Sequence, residues 1–331
     1  MIDLTVIILT FNEERHIERA IRSLGGLATD IFVVDSFSTD STAATAERLG
    51  AKVLRNRFVN QAKQFQWALD NAPVRTGWIM RLDADETLEP ELVGEIRATL
   101  SNLPPDVVGV NLRRRHIFMG RWIQHGGRYP LILLRIFRRG FGSVEDRWMD
   151  EHLTVRDGKT VTFTQDFSDI NLGDLASFTG KHNDYATREA IDVLDRKYGL
   201  GLSRARSLPE TAPRQAVARR FVKERIYSKA PLWLGPAGYF FYRYILRLGF
   251  LDGREGLVYH VLQGFWYRFL VGARILEFEK RLASISGAQD KVAALEGLTG
   301  RALSDREHEP RAADEAIERV RFAFGRLRTS P

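Results

Sequence analysis

An α/β fold built on a parallel sheet with helices on both faces is predicted by three features of the sequence. Short apolar runs rich in β-branched residues alternate with segments of helical spacing between residues 4 and 83. Glycines close the first two helical segments, and polar clusters follow three of the apolar runs. Strands buried on both faces read as continuous apolar runs, and parallel pairing needs a crossover helix between them.

The elements follow in order. "LTVIILT" (4–10) is the first strand. Residues 13–24 place Ile17, Ala20, Ile21 and Leu24 on one helical face, and Gly25-Gly26 stops them. "DIFVVDS" (30–36) is the second strand, and Ser38 to Leu49 a second helix with Ser38 or Asp40 as its cap and Gly50 after its end. "AKVLRN" (51–56), a helix from Gln61 to Asn71 and "GWIMRLD" (77–83) complete a βαβαβαβ pattern. A helix over 90–100 and the break "NLPPD" lead to two more strands, "VVGVNLRRRHIF" and "RYPLILLRIFRRG" (128–140). The stretch "FGSVEDRWMDEHLTVRDG" reads as turn-rich. A helix from Leu175 to Tyr198 puts Lys181, Tyr185 and Glu189 on one face, beside His182. Residues 201–216 read as a linker, and a polar tail from about 283 holds one helix near 312–327.

A chain of 331 residues suits one large domain with an appendage, and 44% hydrophobic with 27% charged residues is a globular composition. The absence of cysteine excludes disulfides and thiolate metal sites. "MIDLTVIILTFNEE" lacks a basic leader region and reads as a mature first strand. The net charge of +7 is local: residues 213–281 hold 13 Lys/Arg against 5 Asp/Glu, with most of the tyrosines and two of the six tryptophans. Basic and aromatic residues interleaved with long aliphatics suit an anionic membrane surface better than a nucleic-acid groove. Within "APLWLGPAGYFFYRYILRLGFL" (230–251), Arg243 and Arg247 are expected on one helical face, reaching phosphate headgroups together. "LVYHVLQGFWYRFLVGARIL" (257–276) repeats the pattern with Arg268 and Arg274. Both stretches are expected to lie in the interface rather than span it, because central arginine is costly in a bilayer. An ordinary helical core, or the face of a homo-oligomer, is the alternative.

Ligands of such sheets bind beyond the carboxyl ends of the strands. There stand "TFNEE", "DSFSTDST" and "DADE", three loops that would line one crevice. No G-x-G-x-x-G follows the first strand and no P-loop motif occurs, so neither a Rossmann dinucleotide site nor a P-loop is supported. In "WIMRLDADETLEP", Asp83 and Asp85 stand one residue apart after an apolar run. Like charges there need a cation between them or access to water.

"VIILTFNEE", "VVDSFSTDST" and "RLDADE", in this order and spacing, together resemble the family 2 glycosyltransferases, inverting enzymes of the GT-A fold. "NQAKQFQWAL" and "YPLILLRIFRRG" sharpen the likeness toward bacterial enzymes of lipopolysaccharide-core and lipid-linked polysaccharide assembly. The likeness covers roughly residues 3–160; the stretch from 220 to 280 is similar, less specifically, to C-terminal segments of polysaccharide-cluster transferases. It implies a Rossmann-like mixed sheet flanked by helices. It implies a nucleotide-sugar donor, UDP-linked, and Mg²⁺ or Mn²⁺ held by Asp85 and Asp83 as the DXD motif. Such hard cations take carboxylate and phosphate oxygens and neutralise a departing diphosphate. Asp83 would be a ligand or a ribose contact. Asp35 matches the aspartate that meets the nucleotide base. Thr10, Asn12 and Glu13 match the first nucleotide-contacting loop, and Lys63 with Gln64 lies where ribose or phosphate is reached. In "WMDEH" (148–152), Glu151 matches the general base that accepts the acceptor hydroxyl's proton, with the neighbouring Asp150 as the other candidate. The acceptor would be a lipid-linked glycan, undecaprenyl-diphosphate-linked or of lipid A-core type, at the cytoplasmic face of the bacterial inner membrane. The organisation expected is a catalytic domain over 1–200, a membrane-interface segment over 201–282 and a tail over 283–331.

Plainer readings stand beside these. Asp35 and Asp40 could cap a helix, and Asp83 with Asp85 could be an acidic helix start. The Asp150–Glu151 pair could be a surface turn. A sugar nucleotidyltransferase would want a glycine-rich basic loop that "TFNEERHIE" lacks. A basic membrane- or nucleic-acid-binding module, with the α/β part merely structural, is the rival of another class.

Overall fold

The structure is a computed structural model that describes residues 2–144, 153–202, 232–301 and 303. The expected alternation forms: β1 (Ile2–Thr10), α1 (Ile17–Ser23), β2 (Ala28–Asp35), α2 (Thr42–Arg48), β3 (Lys52–Arg55), α3 (Gln61–Asn71) and β4 (Trp78–Asp83). Then come β5 (Glu86–Leu88), α4 (Pro90–Thr99), β6 (Val107–Phe118), β7 (Arg121–Trp122), β8 (Leu131–Arg138), β9 (Gly142–Val144), β10 (Leu153–Val155), β11 (Lys159–Ile170) and α5 (Leu175–Tyr198).

The main sheet runs β3-β2-β1-β4-β8-β6-β11-β5, with β7 paired to β6. β3, β2, β1 and β4 are mutually parallel. β8 is antiparallel to both β4 and β6, and β11 runs parallel to β6. The carboxyl ends of β1, β2, β4, β6 and β11 therefore share one edge. β5 follows β4 after a two-residue turn yet pairs with β11 at the far side of the sheet, so the sheet curls to bring them together.

Alternation along β1 sets the two cores. Leu4, Val6 and Ile8 pack with Ile17 and Ile21 of α1 and with Leu92 and Ile96 of α4. Ile7 faces the other way, packing with Phe32, Val34, Phe65 and Phe137. Successive strand side chains point to opposite faces, so a doubly covered strand must be apolar at every position. Phe65 is fully buried, and truncating such a ring costs about 3–5 kcal/mol.

Two helices start later than expected. Asn12 has φ of 54°, and Glu13 to His16 form a turn before α1. Ser38 Oγ bonds Asp35 Oδ1 at 2.5 Å, while Asp40 Oδ1 accepts from Thr42 N at 3.0 Å, so α2 begins at Thr42. The strand β11 was not anticipated. Its "KTVTFTQDFSDI" is rich in β-branched residues, but polar residues on its partly open face hide the pattern.

The C-terminal part holds helices Leu234–Phe241, Gly253–Tyr259, Tyr267–Leu282 and Ala288–Thr299, joined by π-helical turns Tyr242–Leu246 and His260–Trp266 and a 3₁₀ turn Gly249–Asp252. Ile191 and Leu194 of α5 pack with Phe278, Leu282, Val292 and Leu295. Helix Ala288–Thr299, inside the stretch read as a polar tail, thus contributes to a core. The helix expected near 312–327 and the linker residues 203–216 lie outside the described residues. No helix among the described residues is long and apolar enough to cross a membrane.

Arg243 does not share an exposed face with Arg247. It is 1% exposed, because the π-turn rotates it inward, where its Nε donates to Gly126 O at 3.3 Å and its guanidinium lies against Tyr239 and Tyr259. Arg247 alone stays exposed.

Candidate active site at the carboxyl edge of the sheet

The three polar loops fall, as expected, at the carboxyl ends of β1, β2 and β4. Their side chains are first spent on one another. Asp35 is fully buried; Oδ1 accepts from Thr10 Oγ1 at 3.2 Å and from Ser38 Oγ, and Oδ2 from Ser38 N at 2.9 Å. Asn12 Oδ1 accepts from Thr39 N at 2.9 Å, and Glu13 N donates to Thr42 Oγ1 at 2.8 Å. These bonds lock the first loop to the second. Asn12 and Phe37 both hold left-handed φ, 54° and 62°, and Phe11 and Phe37 are exposed beside them. Such strain persists where surrounding contacts over-determine the backbone, and it clusters at binding sites.

Gln64 is buried, its amide donating to Ser36 Oγ and Asn56 O, each at 3.2 Å, and its Oε1 accepting from Asn56 Nδ2 at 2.8 Å. It ties α3 to the ends of β2 and β3. Lys63 is half-buried on the same helix, whose start is capped by Asn60 Oδ1 on Lys63 N at 2.7 Å.

The two aspartates of "DAD" have opposite surroundings. Asp83 Oδ1 accepts from Arg81 Nε at 3.2 Å and Oδ2 from Arg135 Nη2 at 3.1 Å. Burial opposes its ionisation, but the two guanidiniums outweigh this and hold its carboxyl well below the usual range. Among the described residues the Asp85 carboxylate accepts one hydrogen bond, from Asn171 Nδ2 at 3.1 Å, while its backbone carbonyl accepts from Ile170 N at 2.9 Å. Burial, followed by Asp169, Asp83 and Glu13, pushes its carboxyl up to about 6. Arg19 is within electrostatic reach, but its Nη2 donates to Ile170 O at 2.6 Å.

β11 brings in residues that the sequence reading did not single out. Asp169 Oδ2 lies 3.1 Å from His116 Nδ1 and 3.3 Å from Arg114 Nη1. These two groups outweigh burial and keep the Asp169 carboxyl low, and His116 Nδ1–H donates to it; burial lowers the His116 pKa. His16 Nε2 accepts from Leu172 N at 2.9 Å, which leaves Nδ1–H to donate to Glu13 Oε2 at 2.6 Å. Glu86, 1% exposed, accepts from Asp83 N at 3.0 Å and from Arg135; burial pushes it up to about 8.

The donor set suits a hard divalent cation. Asp85 has no ion-pair partner within 4.0 Å among the described residues and stands near the carboxylates of Asp169, Asp83 and Glu13, a setting that calls for positive charge. No group of three or more acidic or histidine side chains among the described residues closes to metal-binding distance. Protein would supply one or two oxygens and substrate phosphate the rest, the usual arrangement for Mg²⁺. Asp150 and Glu151 lie outside the described residues.

Residues 5–169, the sheet and its carboxyl edge, match the family described as Glycosyl transferase family 2. The chain belongs to glycosyl transferase family 2. The curled mixed sheet flanked by helices fulfils the expected GT-A fold. Among curated proteins, an uncharacterized glycosyltransferase of Rickettsia bellii is 42% identical over 93 residues, 28% of this chain and 31% of that protein. One of Rickettsia felis is 41% identical over 93 residues, 28% and 32% of the two chains. The match thus spans about a third of these relatives. Among solved structures, glucosyl-3-phosphoglycerate synthase of Mycobacterium tuberculosis, in complex with Mn²⁺, UDP and glucosyl-3-phosphoglycerate, is 22% identical. That similarity covers 34% of this chain and 43% of that one, with a TM-score of 0.29.

Proposed function

We propose that this family 2 glycosyltransferase transfers a sugar from a nucleotide-sugar, UDP-linked, to a lipid-linked glycan, with inversion at the anomeric carbon. The observation that carries this reading is Asp85, a carboxylate held at the carboxyl edge of the sheet with other carboxylates around it and no ion pair within 4 Å among the described residues. Asp85 would hold a divalent cation, with Asp83 contributing as far as Arg81 and Arg135 release it. Mg²⁺ or Mn²⁺ supplies neutralisation of the diphosphate that leaves as the glycosidic bond forms.

The chain's own residues do the rest. Asp35, Thr10, Asn12 and Ser38 fix the loops on which the nucleoside rests. Lys63 stands on the helix facing those loops. Glu151, or Asp150 beside it, accepts the proton of the attacking hydroxyl. Attack from the side opposite the diphosphate inverts the anomeric centre.

The lipid-linked acceptor is supported by the C-terminal surface. Trp233, Leu234, Phe241, Leu246, Phe250 and Leu251 are 60%, 48%, 53%, 62%, 45% and 49% exposed, within one stretch that also carries exposed Arg247. Large exposed apolar side chains grouped with basic ones fit the interface of an anionic membrane. We place the enzyme on the cytoplasmic face of a bacterial inner membrane, in lipopolysaccharide or polysaccharide assembly, where soluble donor and lipid-anchored acceptor meet.

A panel of nucleotide-sugars tested by thermal shift with and without Mn²⁺ checks the donor. A metal-dependent rise in Tm with one nucleotide class is expected, because ligands that bind only the folded state stabilise it. Pyrophosphate release from a sugar-1-phosphate and a nucleoside triphosphate would instead show a nucleotidyltransferase.

A further inference from the structure

Three arginines from distant parts of the sequence converge beyond the acidic edge. Arg128 follows Gly126 and Gly127, whose φ values of 67° and 68° press this loop onto the C-terminal helices. A Cβ on Gly126 would stand 2.2 Å from His260 Cε1, so only glycine permits the approach. Gly126 N donates to Arg247 O at 2.9 Å, and Gly126 O accepts from Arg243 Nε. The loop bearing Arg128 is thereby fixed against the helix bearing Arg243.

Arg128 and Arg243 lie 5.5 and 5.4 Å from the centroid of the Tyr259 ring. Arg243 and Arg268 lie 5.5 and 3.8 Å from that of Tyr239. Neither Arg128 nor Arg243 has a carboxylate partner among the described residues. Arg243 Nη2 and Arg128 Nε are buried without a hydrogen-bond acceptor among the described residues. Arg243 keeps Gly126 O and Gln263 Oε1 as neutral acceptors but no counter-charge, and guanidiniums packed this close repel one another. Burial would raise the Tyr239 phenol, yet Arg268, Arg243 and Arg128 outweigh it and bring it down to about 8.

We propose that Arg128, Arg243 and Arg268, grouped around Tyr239 and Tyr259, form a binding site for the phosphate or diphosphate of a lipid. Arginine forks match phosphate oxygens, and a dianion would relieve the repulsion among the three. The location fits. Tyr259 packs against His116 with the rings tilted by 46° and 4.9 Å between centroids, and His116 bonds Asp169, so the His116 ring separates the cluster from the acidic edge. The apolar surface around Phe241 and Leu246 continues from the same helices and would hold the lipid chain. Only the naming of this lipid as the glycan acceptor rests on the glycosyl-transfer reading.

Calorimetric titration of the full chain with farnesyl diphosphate in EDTA, with farnesol as the phosphate-free control, tests the site. Flotation with phosphatidylglycerol and phosphatidylcholine vesicles forms a second arm. Farnesyl diphosphate should bind, farnesol should not, and Arg128→Gln and Arg268→Gln should each weaken binding about tenfold, the value of one charge-assisted hydrogen bond. Both positions are half-buried, and Tm measured alongside reports folding. Loss of phosphatidylglycerol binding alone in these variants also supports the site and makes a headgroup its ligand. Unchanged binding in both arms, or farnesol binding as tightly as the diphosphate, overturns it. A UDP–Mn²⁺ thermal shift on the same samples separates the two claims: its absence from the wild type would remove the donor reading and leave the anion site standing.

Discussion

Asp83 and Asp85, one residue apart, stand in opposite electrostatic settings: Asp83 is clasped by Arg81 and Arg135, and Asp85 faces Asp169 with a single amide donor from Asn171. The first is neutralised by the fold. The second is left for something the fold does not supply.

That contrast predicts a divergence between two isosteric substitutions. Asp85→Asn should abolish transfer and the Mn²⁺-dependent thermal shift, yet raise metal-free stability by about 1 kcal/mol, because it removes a repelled carboxylate. Asp83→Asn should lower metal-free stability, because it leaves Arg81 and Arg135 short of a counter-charge. Urea unfolding in EDTA measures both; equal and opposite signs to these would show that the assignment of the two aspartates is reversed.

Glu151→Gln keeps the size of the side chain but cannot accept a proton. Turnover should fall on the order of 10²-fold or more with donor binding retained. Asp150→Asn run in parallel decides between the neighbours: a dead Asp150→Asn beside an active Glu151→Gln would move the base by one residue.

The exposed apolar stretch predicts membrane binding that can be removed without unfolding. Phe241 and Leu246 are more than half exposed, so Phe241→Glu with Leu246→Glu should change stability by less than about 1 kcal/mol. The same pair should abolish flotation with anionic vesicles. Retained flotation, or a shift in oligomeric state instead, would favour a face between copies of the chain.

His260 predicts a pH dependence of stability. Burial, then the Arg243 charge, lowers its pKa to about 4, while Asp252 opposes them and Arg128 adds to them. The unfolded ring titrates near 6.5. A folded pKa below the unfolded one means that the unfolded state binds the extra proton between about 4 and 6.5. The neutral ring's contribution is therefore fully present above about 6.5 and is lost as pH falls toward 4. Between pH 7 and 5 the wild type should lose roughly 1–2 kcal/mol more than His260→Gln. Parallel losses in urea titrations of the two proteins would assign the acid sensitivity elsewhere.

The sequence by itself determined the catalytic half of the fold. A parallel strand covered on both faces must be apolar throughout, and a crossover must be helical, so β1 to β4 and α1 to α3 were written in local pattern. It also placed Thr10, Asp35, Asp83 and Asp85 at one edge, because residues at the carboxyl ends of parallel strands have nowhere else to be. Tertiary structure decided what each of those residues faces. Arg135 reaches Asp83 from 52 positions away, and Asp169 reaches Asp85's surroundings on a strand whose half-open face blurs its alternation. It also turned Arg243 inward through a π-turn that no spacing of four residues foretells. Charge partners are chosen across the fold, by long-range packing, and local periodicity carries no record of them.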